Sequence, residues 1–417
     1  MNIKQTFGKA MLSLIMIVFL LFVGCFESVI NTLTPEKDEP IDIPIDSSVP
    51  MANTQFGFNL FNTIWETEQN QNIFISPFSI SVALAMTLNG AASETEQAMI
   101  DTLQLQGIDT NSINSSYAQL QQTLQTSDPK VTLTIANSLW GNQGIQFTPD
   151  FLQRNTQFFN AGISILNFLD PSSLTTINQW VNDNTNSKIP KILDEIDSNA
   201  VLFLINAIYF KGAWQTEFDP AHTRDGMFHL TNGSKKQVPM MFRSGRYSHY
   251  RGDTFQAVNL PYGDGRMSMY IFLPTRNSNL NAFLETLNPE NWENWMSQFR
   301  EQELSLRMPK FKLEYGTKEL NDALTTLGMG IAFDQSRADF SRMVSLEDLG
   351  ANLYIDKVSH KTFIEVNEEG TEAAAVTIVG VVKTSLPPQF TVDRPFFFAI
   401  RDNETKTVLF MGTIVEP

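Results

Sequence analysis

Hydrophobic residues between positions 53 and 417 follow two different periods, and no proline-rich or glycine-rich linker interrupts them. Near the start, Phe56, Leu60 and Ile64 fall on one face of a helix. Residues 267–272 instead alternate as a strand does. Helical and extended segments follow one another without the strand–helix–strand rhythm of a parallel sheet. The pattern predicts one domain of α+β class over 53–417.

The balance of charge and the cysteine count exclude several classes of function. The chain of 417 residues carries a formal net charge of -16 and a single cysteine. An acidic surface repels polyanions, and Lys130 is the one basic residue between 94 and 131, so neither nucleic acid nor heparin is expected as a partner. One cysteine allows no intrachain disulfide and no cysteine-based zinc site. We expect no metal and no cofactor.

Residues 1–24 have the features of a secretory signal peptide. Lys4 and Lys9 supply a cationic start, and an apolar run over 12–23 follows. The run is short for a helix that spans a bilayer. The sequence therefore predicts an exported protein.

The signal peptide ends at Cys25, in the sequence LFVGC at 21–25. This resembles the bacterial lipobox, in which the cysteine becomes the lipidated first residue after cleavage. The resemblance implies a lipid anchor at Cys25 in a bacterial membrane, and Phe26 at the next position favours the outer membrane or cell surface. An ordinary signal peptide with an incidental cysteine, or an uncleaved anchor, remains an alternative.

The segment that follows, up to residue 52, is rich in proline and acidic residues. Four prolines disfavour helix and sheet, so we interpret 25–52 as the lipidated N-terminus and a solvated tether. These prolines are Pro35, Pro40, Pro44 and Pro50.

Within residues 363–390, the stretch 371–386 carries only two charged side chains, Glu372 and Lys383, and a pair of prolines, 387–388, ends it. With period two, one face carries only small or β-branched side chains: Thr371, Ala373, Ala375, Thr377, Val379 and Val381. A strip of this kind could enter the middle of an existing sheet. A surface helix on the three alanines, or a permanent core strand, would also fit the pattern.

The sequence EEGTEAAA at 368–375 resembles the hinge of the serpin family. Short segments in the order that this family shows continue the resemblance over essentially all of 53–417. They are 72–80, 136–140, 205–214, 238–242, 260–262, 308–311, 393–398 and 409–412. The resemblance implies a monomer with three β-sheets and eight or nine helices. It also implies an exposed reactive-centre loop at about 368–388, outside a five-stranded main sheet.

The same resemblance implies an inhibitor of serine proteases, and by extension of cysteine proteases. The protease attacks the loop, and the cut loop inserts into the sheet and traps the acyl-enzyme. Rapid insertion needs small residues at the hinge, which consists of Gly370, Thr371, Glu372, Ala373, Ala374 and Ala375. No G-x-S-x-G, Walker or H-E-x-x-H motif supports an enzyme. A non-inhibitory serpin with a binding or chaperone-like role, and an unrelated solute-binding lipoprotein, remain alternatives.

The family spacing from the hinge, and the count back from the prolines, both place the reactive bond between Thr384 and Ser385. Thr384 suits elastase-like or subtilisin-like proteases, and Lys383 suits trypsin-like ones. Val382 is a further cleavage position for elastase-like enzymes. The sequence therefore predicts broad specificity, although Lys383 can also be explained as a solvated loop charge.

Residues elsewhere in the chain match family positions that control opening of the main sheet. The match assigns them to the shutter, the breach and a latch on the loop. The shutter and breach residues are Ser76, Ser79, Asn206, His360 and Trp214, and the latch is Glu368 with Lys310. We expect His360 to hydrogen-bond near Asn206, with Ser76 and Ser79 close by, in a structural role.

Overall fold

A computed structural model describes residues 46–126, 128–197, 200–344, 352–371 and 387–417. The described residues all fall in one compact unit and, within these ranges, include nine α-helices. The helices are α1 (Ser48–Thr67), α2 (Pro77–Leu88), α3 (Ser93–Thr102), α4 (Thr110–Gln125), α5 (Pro149–Phe159), α6 (Pro171–Asn184), α7 (Leu280–Leu284), α8 (Pro289–Ser297) and α9 (Asn321–Thr326).

The first helix corrects the predicted boundary of the tether. It begins at Ser48, five residues before position 53, and Val49 is fully buried. Pro50 does not prevent this because it occupies the first turn, where a backbone N–H has no partner within the helix. The predicted signal peptide, Cys25 and most of the tether lie outside the described residues.

The larger sheet has nine strands in the described part of the chain. Eight follow the order β1-β15-β14-β8-β7-β6-β9-β13, and β5 pairs with β6. Their bounds are β1 Ile73–Ile75, β5 Arg224–His229, β6 Lys235–Arg251, β7 Phe255–Pro261, β8 Met267–Pro274, β9 Arg300–Pro309, β13 Gln389–Thr391, β14 Phe396–Asp402 and β15 Val408–Ile414. The long strand β6 pairs with β5, β9 and β7 along its 17 residues. Two of the three sheets that the resemblance implies are therefore joined into one hydrogen-bonded network.

The second network is the main sheet, with the order β10-β11-β12-β4-β2-β3. Its strands are β2 Val131–Asn142, β3 Gly162–Leu166, β4 Leu202–Ala213, β10 Phe311–Glu319, β11 Ser359–Val366 and β12 Gly370–Thr371. The two long central strands, β4 and β11, are each paired with the two-residue strand β12 between them. This short strand marks the place where the predicted loop begins.

Aromatic side chains fill the core between the two sheets. The ring of Phe74, on β1, stacks on those of Phe398 and Phe410 at centroid distances of 5.6 and 5.4 Å. Phe61 of α1 meets Phe397 edge to face at 5.5 Å. Contacts of this size and number can hold a fold that has no disulfide in its described part.

Candidate functional site

The predicted hinge begins inside the main sheet. Gly370 pairs with Ala213, and Thr371 pairs with Gly212 on one side and Val366 on the other. In the described ranges, the ladders of β4 and β11 reach β12 but not each other. The hinge therefore starts between the two central strands, at the end of the sheet where β12 pairs with both. We call the boundary between β4 and β11 the seam, and this end its head.

This position corrects the expectation that the loop lies outside the sheet from residue 368 onward. Glu368 is only 7% exposed and Thr371 only 3%. Gly370 has φ +154°, and a Cβ there would lie 2.1 Å from the carbonyl oxygen of Gly212, so only glycine fits against the neighbouring strand. The hydroxyl of Thr371 lies 2.7 Å from the hydroxyl of Tyr262, which holds the second hinge residue in the sheet.

Three N–H groups hold the turn that precedes the hinge. The backbone N–H of Trp214 donates to the carbonyl of Glu369 at 2.9 Å, and that of Phe218 donates to the carbonyl of Glu368 at 2.8 Å. The indole Nε1 of Trp214 donates to the carbonyl of Asn367 at 3.0 Å. Three consecutive carbonyls are thus bound by one segment, 214–218, which we call the hinge clamp. The predicted breach residue Trp214 supplies two of its three donors.

Glu368 forms the predicted ion pair with Lys310. The Lys310 Nζ lies 2.8 Å from Oε2 of Glu368, and the hydroxyl of Thr223 donates to Oε1 at 2.8 Å. Burial acts to raise the pKa of Glu368, but hydrogen bonds from Lys310 and Thr223 outweigh it and leave the pKa below its usual value. Because Lys310 is partly exposed, the pair contributes about 0–1 kcal/mol to stability. Thr223 carries no motif that sequence reasoning could have recognised.

An aromatic pair lies directly behind the hinge. The rings of Trp214 and Tyr262 stack at a centroid distance of 4.5 Å and an interplanar angle of 11°. Burial raises the pKa of Tyr262, so its hydroxyl stays protonated and can share a hydrogen bond with Thr371. Sequence reasoning assigned no role to Tyr262.

The predicted shutter residues gather at the N-terminus of α2. The hydroxyl of Ser76 accepts from the backbone N–H of Ser79 at 3.2 Å, which caps the helix. The hydroxyl of Ser79 donates to the side-chain oxygen of Asn206, whose amide donates to Asn137 at 2.6 Å. Strand β4 is thereby connected to the helix beneath the sheet.

His360 forms its hydrogen bond within the predicted shutter. Its Nε2 accepts from the backbone N–H of Ser76, the residue that caps the helix, at 3.0 Å. Complete burial lowers its pKa to about 3, which keeps the ring neutral and able to accept this bond. The structural role that sequence reasoning gave to His360 agrees with this contact.

Several predicted site residues lie outside the described residues. They are Glu372, Ala373, Ala374, Ala375, Val382, Lys383, Thr384, Ser385 and Cys25. Within the described ranges, no group of three or more His, Cys, Asp or Glu side chains is arranged to hold a metal ion. None of the helices in that same part of the chain has the length and apolar content to cross a bilayer.

Comparisons with known proteins agree on one family. The family model described as "Serpin (serine protease inhibitor)" matches residues 51–417. Serpin B8 of Bos taurus is 37% identical over 378 residues, which is 88% of this chain and 98% of that protein. Leukocyte elastase inhibitor A of Mus musculus is 36% identical over 382 residues, again 88% of this chain and 98% of the relative.

The fold has solved counterparts as well. The structure of Tengpin, a thermophilic serpin in its native state, aligns with a TM-score of 0.81 and 33% sequence identity. The alignment covers 90% of this chain and 96% of Tengpin. The predicted fold class is therefore confirmed.

Proposed function

This chain belongs to the serpin family, whose members are named as protease inhibitors rather than enzymes. On that premise, we propose that it traps serine proteases by inserting its own cut loop into the main sheet. Cysteine proteases that form the same kind of acyl-enzyme are a second target class. The seating of Gly370 and Thr371 at the head of the seam carries the proposal. Their pairing with β4 and β11 sets the register in which the rest of the loop would insert as a strand.

The small hinge side chains support rapid entry. Residue 370 must be glycine to lie against β4, and the alanines at 373–375 would pass between two strands with the least steric resistance. If cleavage follows Thr384, thirteen residues, 372–384, remain to enter after those already seated. At about 3.3 Å per residue, their insertion would carry a bound protease about 43 Å.

Insertion would compete with hydrolysis of the acyl-enzyme. The serine of the protease attacks the carbonyl carbon of Thr384, the bond to Ser385 breaks, and the new amino terminus leaves with the C-terminal fragment. If the loop inserts before water attacks the ester, the displaced protease stays covalently bound. The energy for this step comes from a native state that is kinetically trapped.

The decisive experiment is incubation with proteases followed by denaturing electrophoresis. We expect an SDS-stable adduct together with a released C-terminal peptide. Ala375→Arg should be cut without forming the adduct, because a charged side chain would stall insertion, and Ala375→Ser is the matched control. Thr371 is unsuitable for this test because it is already buried against Tyr262. Cleavage of the wild type without any adduct would refute inhibition and favour a non-inhibitory binding role.

We propose broad specificity, with adjacent bonds used by different proteases. Thr384 serves elastase-like and subtilisin-like enzymes, Lys383 serves trypsin-like enzymes, and Val382 serves a second elastase-type cut. Mass mapping of the released peptide for each protease identifies the bond. Lys383→Gln should abolish only the trypsin-type cut, and persistence of that cut would contradict the assignment.

We further propose that the protein is exported and held by a lipid at Cys25 on a bacterial outer membrane or cell surface. The basis is the sequence LFVGC at 21–25 and the absence of any other cysteine in the chain. Acyl chains bury apolar carbon in the bilayer and can replace a spanning helix. Expression with a labelled fatty acid should mark the wild type but not Cys25→Ser, and equal release of both from membranes would refute the anchor.

A further inference from the structure

An arginine on the larger sheet supports the hinge clamp. The guanidinium carbon of Arg243, on β6, lies 4.9 Å from the ring centroid of Phe218 and 4.9 Å from that of Tyr247. Its Nε donates to the hydroxyl of Tyr247 at 2.8 Å, and this hydroxyl in turn donates to the carbonyl of Arg243 at 3.2 Å. The guanidinium thus lies over two rings, and one hydrogen bond joins its Nε to the hydroxyl of Tyr247.

Phe218 connects this stack to the hinge. Its backbone N–H binds the carbonyl of Glu368, and its ring meets that of Trp214 at 6.4 Å with an interplanar angle of 76°. Trp214 supplies the other two bonds of the clamp. A displacement of Phe218 would therefore change both ends of the segment that holds the turn.

The chemistry of the stack requires arginine. A planar guanidinium lies flat against an aromatic face, and such contacts contribute most when both partners are partly desolvated. Phe218 and Tyr247 are both buried. A lysine ammonium would keep the charge but could not lie flat on the two rings while binding the tyrosine hydroxyl in the same geometry.

We propose that Arg243 is a positioning residue for loop insertion, an inference that rests on the proposed inhibitory function. By fixing Phe218, it holds the turn 367–370 in the register from which Gly370 and Thr371 pair with β4. Without it, the next residues enter the seam more slowly, and more of the acyl-enzyme is lost to water. Attack on the reactive bond is unaffected, because Arg243 acts only through the clamp.

The test compares Arg243→Met and Arg243→Lys with a matched control, Arg307→Met. Arg307 lies over a different ring, that of Phe242, at 5.1 Å, and faces the other side of the same strand pair. We expect about three- to tenfold more molecules of either Arg243 variant to be consumed for each protease trapped. Loss of a cation–aromatic contact of this kind should slow loop insertion by that factor. The rate of the first acylation should stay within about twofold of the wild type, because acylation precedes insertion.

A second readout needs no protease. Hydrogen exchange at the backbone amides of Trp214 and Phe218 should be about fivefold faster in Arg243→Met than in the wild type. The reason is that their hydrogen bonds to the carbonyls of Glu369 and Glu368 would open more often. Arg307→Met should leave these amides unchanged.

The two readouts separate the inference from the function beneath it. Unchanged exchange in Arg243→Met, or faster exchange with unchanged stoichiometry, overturns the role of Arg243. The same increase in both Arg243→Met and Arg307→Met also overturns it, because it would indicate general loosening. Faster exchange confined to Arg243→Met in a protein whose wild type forms no adduct supports the link to the hinge and refutes only the inhibitory function.

Discussion

Protonation of His360 should destabilise the fold between neutral and mildly acidic pH. The ring is buried, and its Nε2 accepts a hydrogen bond from the backbone N–H of Ser76. Proton binding would turn this acceptor into a donor facing another donor, and would place a charge in the core. The folded protein therefore takes up the proton only near pH 3, whereas an unfolded histidine takes it up near 6.5.

The size of the effect follows from these two pKa values. Above pH 6.5 the ring is neutral in both states, so the contribution to stability is fully present there. As pH falls from 6.5 toward 3, only the unfolded state binds the proton, and the free energy of unfolding drops by up to about 1.4 kcal/mol per pH unit. At pH 5 the loss from His360 alone is about 2 kcal/mol.

The assay is urea-induced unfolding at pH 7.5 and at pH 5, with the wild type and His360→Gln measured in parallel. Glutamine can still accept from the amide of Ser76 but binds no proton in this range. We expect the difference in unfolding free energy between the two pH values to shrink by about 2 kcal/mol in the variant. Carboxylates that titrate near pH 5 affect both proteins equally and cancel in the comparison.

His249 provides a second test of the direction of the effect. Burial also lowers the pKa of this ring, which lies 3.1 Å from Gln302. His249→Gln should therefore reduce the pH dependence in the same direction and, combined with His360→Gln, reduce it further. An unchanged pH dependence in His360→Gln would show that the ring is not held neutral by burial, and would refute the reasoning.

Three further experiments test the contacts of the hinge and the core. Gly370→Ala should lower the free energy of unfolding by about 1–3 kcal/mol, because a Cβ has no space against β4. Calorimetry should show a lower Tm, and an unchanged Tm would contradict the position of the hinge against β4. Tyr262→Phe should lower the free energy of unfolding by about 1–2 kcal/mol, because it leaves the hydroxyl of Thr371 unpaired. Adding Thr371→Val to this variant should recover part of the loss in urea unfolding, whereas losses that simply add would argue against the hydrogen bond. Asp402→Asn should lower the free energy of unfolding by about 1–3 kcal/mol, because Arg266 loses its fully buried partner at 2.6 Å and keeps only the exposed Glu404 at 3.0 Å. A loss below about 1 kcal/mol in urea unfolding would indicate that Glu404 and solvent compensate the charge.

Local sequence was sufficient to predict the fold class and the run of small residues at the hinge, because both depend on the size and order of neighbouring side chains. The alanines after Gly370 follow from the segment itself, whereas the Thr384–Ser385 reactive bond stays a prediction from the match to a family, because that bond lies outside the described residues. The alternation of helical and strand periods predicted the α+β class, which the fold confirms. The boundary at residue 52 was wrong because proline density does not distinguish a tether from the first turn of a helix, where Pro50 is tolerated.

Tertiary structure decided which groups meet across the chain. Phe218, Thr223 and Arg243 belong to no motif, and Tyr262 lies in the matched segment 260–262 without an assigned role. They meet at the hinge only because the fold brings together the segments after β4, before β5, on β6 and between β7 and β8. The partner of His360 is 284 positions away along the chain. The sequence by itself determined that a segment of small residues follows β11. The burial of Glu368, Gly370 and Thr371 depends on distant groups that only the folded chain brings together. They are the backbone of β4, which leaves space for glycine alone, and the two backbone N–H groups and the indole of the hinge clamp.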